Sequence, residues 1–264
     1  MASTYAHYVF GQDVLNELSE TQKQIILKNR ELYDIGLHGP DILFYYQPLK
    51  KNPICSLGYD LHEKPGKVFF ESAIKIYHKQ NKQDLHLSYL YGVICHFALD
   101  AKCHPYVEKY RRENNVSHTS IEVNFDRYLL EKNGFNPLKY PLSCHIHPSI
   151  DRAEIISPYF TITTPKDILK ALKSMNFYHH LLHASYSFKR QALYLGMDLV
   201  GQKEFKEHII AKKANPRCQQ SNQNLDQLMQ EAIHEAVHLI QSFDQSRTSD
   251  CSLSDGFEHT FGEN

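Results

Sequence analysis

The sequence predicts an all-α protein that folds as a single-domain bundle of about eight to ten helices. Apolar residues recur at helical spacing along most of the chain. Glycine and proline number only 11 each among 264 residues, whereas β-rich chains use more glycine in their turns. The sequence also lacks internal repeats, heptad arrays and convincing strands. Together these observations favour helices packed on helices.

Two helices are predicted before the first strong break in the chain. The helical spacing of apolar residues covers 5–18 and 19–32. Gly39-Pro40 then interrupts the pattern and precedes a short apolar element. Residues 47–60 contain two prolines and a glycine, so they are predicted to form a loop.

Three more helices follow, each with its own start signal. A proline fits the first turn of a helix over 65–77. Residues 84–103 are mostly apolar and predict a long helix, which we expect Pro105 to end near residue 103. Ser117 is a suitable amino-terminal cap for a helix over 118–130.

The carboxy-terminal half combines an irregular stretch with further helices. Residues 133–165 contain five prolines and are predicted to form a long surface excursion. Thr164 can cap a helix with proline at its first position. Helical patterns then cover 176–194 and 222–243.

The composition excludes several classes of partner and location. Lys plus Arg (29) nearly balances Asp plus Glu (30), which argues against a sequence-specific nucleic-acid partner bound through bulk charge. The most apolar stretch, 89–99, is too short for a transmembrane segment of about 20 residues. Six cysteines without CxxC spacing, and no secretory signal, favour a cytoplasmic protein. We expect one domain over 1–245, a flexible tail over 246–264 and an oligomeric state that these patterns leave open.

Histidine is abundant, with 17 residues, which raises the hypothesis of a metal site. His96, Asp100 and His104 follow at intervals of four, so a helix places them along one face with the carboxylate between two imidazoles. Asp100 could then bridge two metal ions. His118 and Glu122 form a second such pair, suited to Zn²⁺ with an open coordination position. The structural alternative is a buried His–Asp hydrogen bond.

A competing motif lies further along the chain. His234-Glu235-Ala-Val-His238 matches the HExxH helix of zinc peptidases. No Gly-x-x-His follows it, and a third ligand would have to come from Glu258 or His259. We therefore rank a zinc peptidase low and expect a packing helix whose His and Glu side chains face solvent.

Five segments of the amino-terminal half carry candidate ligands in one characteristic order. They are Thr4-Tyr-Ala-His7, Gly39-Pro-Asp41-Ile-Leu-Phe-Tyr-Tyr, Leu57-Gly-Tyr-Asp-Leu-His62, Tyr91-Gly-Val-Ile-Cys-His-Phe-Ala-Leu-Asp-Ala-Lys-Cys-His-Pro-Tyr and His118-Thr-Ser-Ile-Glu122. As a set they resemble the zinc-dependent phospholipase C family, which is similar in fold to single-strand-specific zinc nucleases.

The resemblance implies an all-α fold of that type with two or three Zn²⁺ ions. The implied ligands are Asp41, His62, His96 and Asp100 for one zinc, His104, His118 and Glu122 for a second, and His7, Asp100 and the amino terminus for a third. Secreted members supply that terminal amine from Trp; this sequence contains no Trp, and Ala2 would replace it after removal of Met1.

The resemblance further implies hydrolysis of a phosphate ester, with Asp41 as general base and a phosphodiester or phospholipid-like small molecule as substrate. Tyr45, Tyr46 and Tyr59 are candidates for a cation–π contact with a choline-like group, with core positions as the alternative. A metal-stabilised helical scaffold without catalysis is the alternative to an enzyme.

Overall fold

The computed structural model describes residues 3–249 and 251–262, and it confirms the all-α prediction. Within these residues eleven α-helices and several short 3₁₀ helices account for the regular structure, and no strand occurs beyond one isolated bridge. The α-helices are α1 Thr4–Glu17, α2 Glu20–Lys28, α3 Arg30–Gly36, α4 Pro53–His62, α5 Gly66–Tyr77, α6 Gln83–Asn114, α7 His118–Lys132, α8 Ile150–Ile156, α9 Pro165–Leu182, α10 Ser187–Leu199 and α11 Gln219–Thr248.

Helix α6 is the central element of the bundle. It is 32 residues long, and every side chain from Leu87 to Asp100 is buried. It packs against α1, α3, α7 and α11, so it is buried around its whole circumference rather than along one stripe. A ligand carried on this part of α6 is therefore held by a helix that is packed on all sides.

Helix α6 does not end where the sequence predicts. The prediction of an end near residue 103 is wrong, since α6 continues through Pro105 to Asn114. Proline inside a helix costs about 3 kcal/mol, because it removes a hydrogen bond and crowds the preceding turn. Burial of Cys103 and Val107 on either side of Pro105 offsets that cost.

The prediction of a loop over 47–60 is wrong for its second half, which is helical. Helix α4 begins at Pro53, and the side chain of Asn52 caps it by accepting a hydrogen bond from the Cys55 backbone N–H. Asn followed by Pro is a typical helix start, because the amide side chain caps and the proline ring fits the first turn. These two residues therefore begin a helix here.

Residues 133–165 are not a surface excursion. This stretch contains α8 and buries His145, Ile146, Ile156 and Phe160 against the core. The helix predicted over 176–194 is also interrupted, because α9 ends at Leu182 before α10 begins.

Helix α10 packs on a small apolar cluster separate from the main core, formed by Leu182, Ala184 and Ile209 with Leu193, Tyr194 and Met197. Its opposite face leaves Phe188, Leu195 and Leu199 largely exposed.

The expectation of a flexible tail over 246–264 does not fit the described residues. Helix α11 extends to Thr248, and Leu253, Phe257 and Phe261 are buried. The aromatic side chains insert between α5 and α6, where Phe257 lies 4.7 Å from Phe70 between ring centroids. Apolar burial of this kind stabilises the segment despite its polar composition.

None of the described helices combines the length and the apolar character that crossing a bilayer requires.

Candidate metal centre

The eight predicted metal ligands come together in one largely buried cluster. Helix α6 supplies His96, Asp100 and His104. The remaining ligands come from α1, from the 3₁₀ helix Gly39–Tyr45, from the end of α4 and from the first turns of α7. His7 lies on α1, Asp41 in this 3₁₀ helix and His62 at the end of α4. His118 and Glu122 lie on α7.

Asp41, His62 and His96 form the first group of possible metal ligands. His62 Nε2 lies 2.9 Å from Asp41 Oδ1, and His96 Nε2 lies 4.0 Å from the same oxygen. Asp41 is 4 % exposed and His96 is fully buried, so one carboxylate and two imidazoles face each other away from bulk water.

Asp100 lies at the middle of the cluster and contacts three imidazoles. Its Oδ1 is 3.2 Å from His7 Nε2 and 3.5 Å from His104 Nε2. Its Oδ2 is 3.1 Å from His96 Nε2. The two oxygens of one carboxylate therefore face different histidines, an arrangement that allows Asp100 to bridge two ions.

His104, His118 and Glu122 form a further group of possible ligands. Glu122 Oε1 lies 3.2 Å from His118 Nε2 and 3.7 Å from His104 Nε2. Helix α7 begins at His118, so a single helical turn brings His118 and Glu122 to the same point opposite His104 on α6.

Three of the histidines are oriented through their second ring nitrogen. The Nδ1–H groups of His62 and His104 donate to the backbone carbonyls of Gly58 and Phe261, at 2.7 and 3.0 Å. His118 Nδ1 lies 3.0 Å from Glu108 Oε1. Acceptors at Nδ1 leave Nε2 bare and directed at the cluster, which is how metal-binding histidines are usually held.

Several buried polar atoms of the cluster have no hydrogen-bond partner, and two of them, His96 Nε2 and Asp100 Oδ2, face each other where a metal could bind. Both ring nitrogens of His96, His7 Nδ1 and Asp100 Oδ2 have no hydrogen-bond partner. Leaving such groups unsatisfied costs about 1–3 kcal/mol each. His96 Nε2 and Asp100 Oδ2 are 3.1 Å apart without forming a hydrogen bond, as expected for two atoms that share an ion. The donor set of imidazoles and carboxylates fits zinc.

The electrostatics of the cluster favour cations. Burial would raise the pKa of Asp100, but the neighbouring His96, His104 and His7 hold it well below its usual range. Burial opposes protonation of His104, yet the charges of Asp100 and Glu122 outweigh it and raise the pKa to about 9. The carboxylates thus stay ionised at neutral pH, and a bound cation would displace protons from the imidazoles.

His7 is positioned by a contact between helices. Asp126 on α7 accepts hydrogen bonds from Ser3 Oγ at 2.5 Å and from the backbone N–H groups of Tyr5 and Ala6 at 3.2 and 2.8 Å. A carboxylate that caps α1 from a distance fixes the start of this helix. His7, on its first turns, then stacks on His96 with ring centroids 4.5 Å apart.

The family of the chain follows from its sequence. A family model for zinc-dependent phospholipase C matches residues 6–174. The chain belongs to the zinc-dependent phospholipase C family. All eight candidate ligands of this family member lie within the matched residues. Comparison with curated proteins and with solved structures gave no match.

The other predicted site residues lie elsewhere. In this phospholipase C family member, His234 and His238 are exposed on α11 and belong to none of the possible ligand groups among the described residues. Tyr45 is buried, with its hydroxyl 3.0 Å from His179 Nε2, so it occupies a core position. Tyr59 is 60 % exposed. The amino-terminal ligand of the third zinc lies outside the described residues.

Sequence reasoning missed the residues that orient the ligands. Glu108, Gly58 and Phe261 accept hydrogen bonds from ligand histidines, and Asp126 fixes the start of α1. Glu108 has a sequence signal, because it follows His104 by one helical turn. Phe261 has none, since 157 residues separate it from His104.

Proposed function

We propose that this protein is a zinc-dependent phosphoesterase that hydrolyses a phosphodiester or phospholipid-like small molecule. The observation that carries the proposal is the contact of Asp100 with His7, His96 and His104 in the middle of a buried cluster. Such a carboxylate can serve two cations at once, and paired divalent ions are well suited to phosphate-ester hydrolysis.

The proposed ligand sets are those that the family resemblance implies. Asp41, His62, His96 and Asp100 would hold one zinc, and His104, His118 and Glu122 a second. His7, Asp100 and the amino terminus would hold a third. Bound divalent ions lower the pKa of water and neutralise negative charge on phosphate. The distances among these side chains and their burial support the assignment.

Asp41 is the proposed general base. Burial alone would raise its pKa, but the hydrogen bond from His62 and the nearby His96 lower it. The carboxylate is therefore ionised at neutral pH and can accept a proton from the attacking water. Its backbone is fixed by Gly39, whose φ of +43° only glycine adopts easily and which packs directly against the His96 ring.

An open cleft supports access of a substrate to one side of the cluster. This cleft of about 830 Å³ borders His118 and includes Arg111, Lys203 and His208 among its polar side chains. Glu108, Glu204 and Glu207 also line the cleft, and Arg111 is ion-paired with Glu108. Lys203 is a cation in this lining that suits a substrate carrying a phosphate. A cytoplasmic location belongs to the proposal and rests on six cysteines without CxxC spacing.

The proposal is tested by zinc content and by hydrolysis of a chromogenic choline phosphodiester. Asp41→Asn should lower kcat by 10²–10⁴, the usual contribution of a general base. Asp60→Asn changes an exposed carboxylate on the same helix as His62 and should leave the rate unchanged. Full zinc content without hydrolysis of phosphodiesters would favour the non-catalytic scaffold instead.

A further inference from the structure

Residues 259–262, which we call the carboxy-terminal strap, run along the connection between α4 and α5. The Gly66 N–H donates to the His259 carbonyl at 2.8 Å, and Thr260 forms an isolated bridge with Pro65. The Gly262 N–H donates to the His62 carbonyl at 2.9 Å. The strap is therefore joined to the end of the helix that carries His62, although it lies outside the residues that match the family.

Phe261 anchors the strap beside the metal centre. Its side chain is 1 % exposed, and its ring lies 4.9 Å from Phe97 between centroids. The same ring lies 6.0 Å from the rings of both His62 and His96. Burial of a phenylalanine ring among other aromatic rings stabilises its position. The backbone of Phe261 is consequently fixed next to the ligands.

The carbonyl of Phe261 determines the tautomer of His104. The carbonyl oxygen lies 3.0 Å from His104 Nδ1 and can only accept a hydrogen bond, so the proton must be on Nδ1. In the neutral ring, His104 Nε2 then carries the free electron pair, and it faces Asp100 and Glu122 at 3.5 and 3.7 Å. A ring with its proton on Nε2 could not bind a metal on that side.

We propose that the carboxy-terminal strap is part of the zinc centre. The Phe261 carbonyl holds His104 in its metal-binding tautomer and orientation, and the Gly262 N–H fixes the end of α4 behind His62. The inference rests on the ligands assigned under the proposed function. Orienting groups of this kind typically change metal affinity 10–100-fold.

The test compares zinc retention in matched variants of the full chain. Phe261→Ala removes the anchor of the strap, and Phe261→Leu keeps an apolar anchor. Leu253→Ala removes a buried side chain from the same tail, eight residues before the anchor. His104→Gln removes the ligand itself. Zinc per chain is measured by elemental analysis and zinc release by a chromogenic chelator, with circular dichroism as the check on folding.

We expect Phe261→Ala to release one zinc per chain 10–100 times faster than the parent, with Phe261→Leu and Leu253→Ala close to the parent. Release from Phe261→Ala at the parent rate would overturn the inference. If His104→Gln also kept all zinc at the parent rate, the ligand assignment itself would fail, which distinguishes the two failures.

A second variant decides the question if Phe261→Ala does not fold. A β-carbon at Gly262 would lie 2.8 Å from the His62 carbonyl oxygen, so Gly262→Val pushes the strap away while keeping Phe261. Accelerated zinc release from this variant supports the inference, and release at the parent rate contradicts it.

Discussion

His38 Nε2 lies 2.7 Å from His145 Nε2, and both rings are buried. One ring must donate and the other accept, so protonation of the accepting nitrogen would leave two N–H groups facing each other and a positive charge on a buried ring. Burial lowers the pKa of His145 to about 3. Burial, together with the neighbouring His145, lowers the pKa of His38 well below its usual range. The pair joins the start of the 3₁₀ helix that carries Asp41 to residues 133–165.

This pair predicts a loss of stability on acidification. The folded pKa of His145 is below the unfolded value, so the unfolded chain binds more protons and stability falls as the pH drops below about 6.5. Between pH 6.5 and 5 the loss from His145 is about 1.5 kcal/mol. Urea unfolding of His145→Gln should show a correspondingly smaller pH dependence. His78→Gln, an exposed change, should match the parent; an unchanged slope in His145→Gln would contradict the prediction.

Asp100→Asn should lose more zinc than Glu122→Gln. Asp100 contacts three imidazoles with its two oxygens, whereas Glu122 contacts the two histidines of a single ligand group. Removing the carboxylate charge of Asp100 should therefore weaken the binding of two zinc ions. Removing that of Glu122 should weaken the binding of one. Elemental analysis of the purified variants measures the difference. Equal losses would indicate separate mononuclear sites.

Gly39→Ala should weaken both the fold and zinc binding. A β-carbon at Gly39 would lie 2.4 Å from His96 Cδ2, in addition to the strain of about 1–2 kcal/mol for a positive φ. Gly134→Ala is the matched control, because Gly134 also has a positive φ but no atom within 4 Å of an added β-carbon. Thermal unfolding and zinc content should be affected much more at Gly39. Similar effects in both variants would mean that His96 is not displaced.

Replacing His234 and His238 together with Gln should leave zinc content and phosphoesterase rate within about twofold, because exposed substitutions rarely exceed 0.5 kcal/mol. Both side chains are exposed on α11, away from the ligand groups of the described residues. A large loss of zinc in the double variant would restore the zinc-peptidase hypothesis.

The sequence predicted the candidate metal ligands best where they are spaced four residues apart on one helix. His96, Asp100 and His104 lie on one face of α6 because residues four apart on a helix are neighbours. The continuation of α6 past Pro105 could not be predicted, since tertiary burial outweighs the local preference of proline. The hydrogen bond between Phe261 and His104 joins residues 157 positions apart, and no local pattern encodes such a contact.

Helix α10 packs separately from the main core, which lowers the free energy needed to unfold it locally. Its inner face rests on the small cluster around Leu182, Ala184 and Ile209, while Phe188 and Leu199 on its outer face are about 80 % exposed. Cooperative units with few buried contacts open at far lower free energy than the global fold. Among the described residues, we therefore expect 183–202 to exchange their amide hydrogens and to be cut by a protease before the bundle around α6 opens.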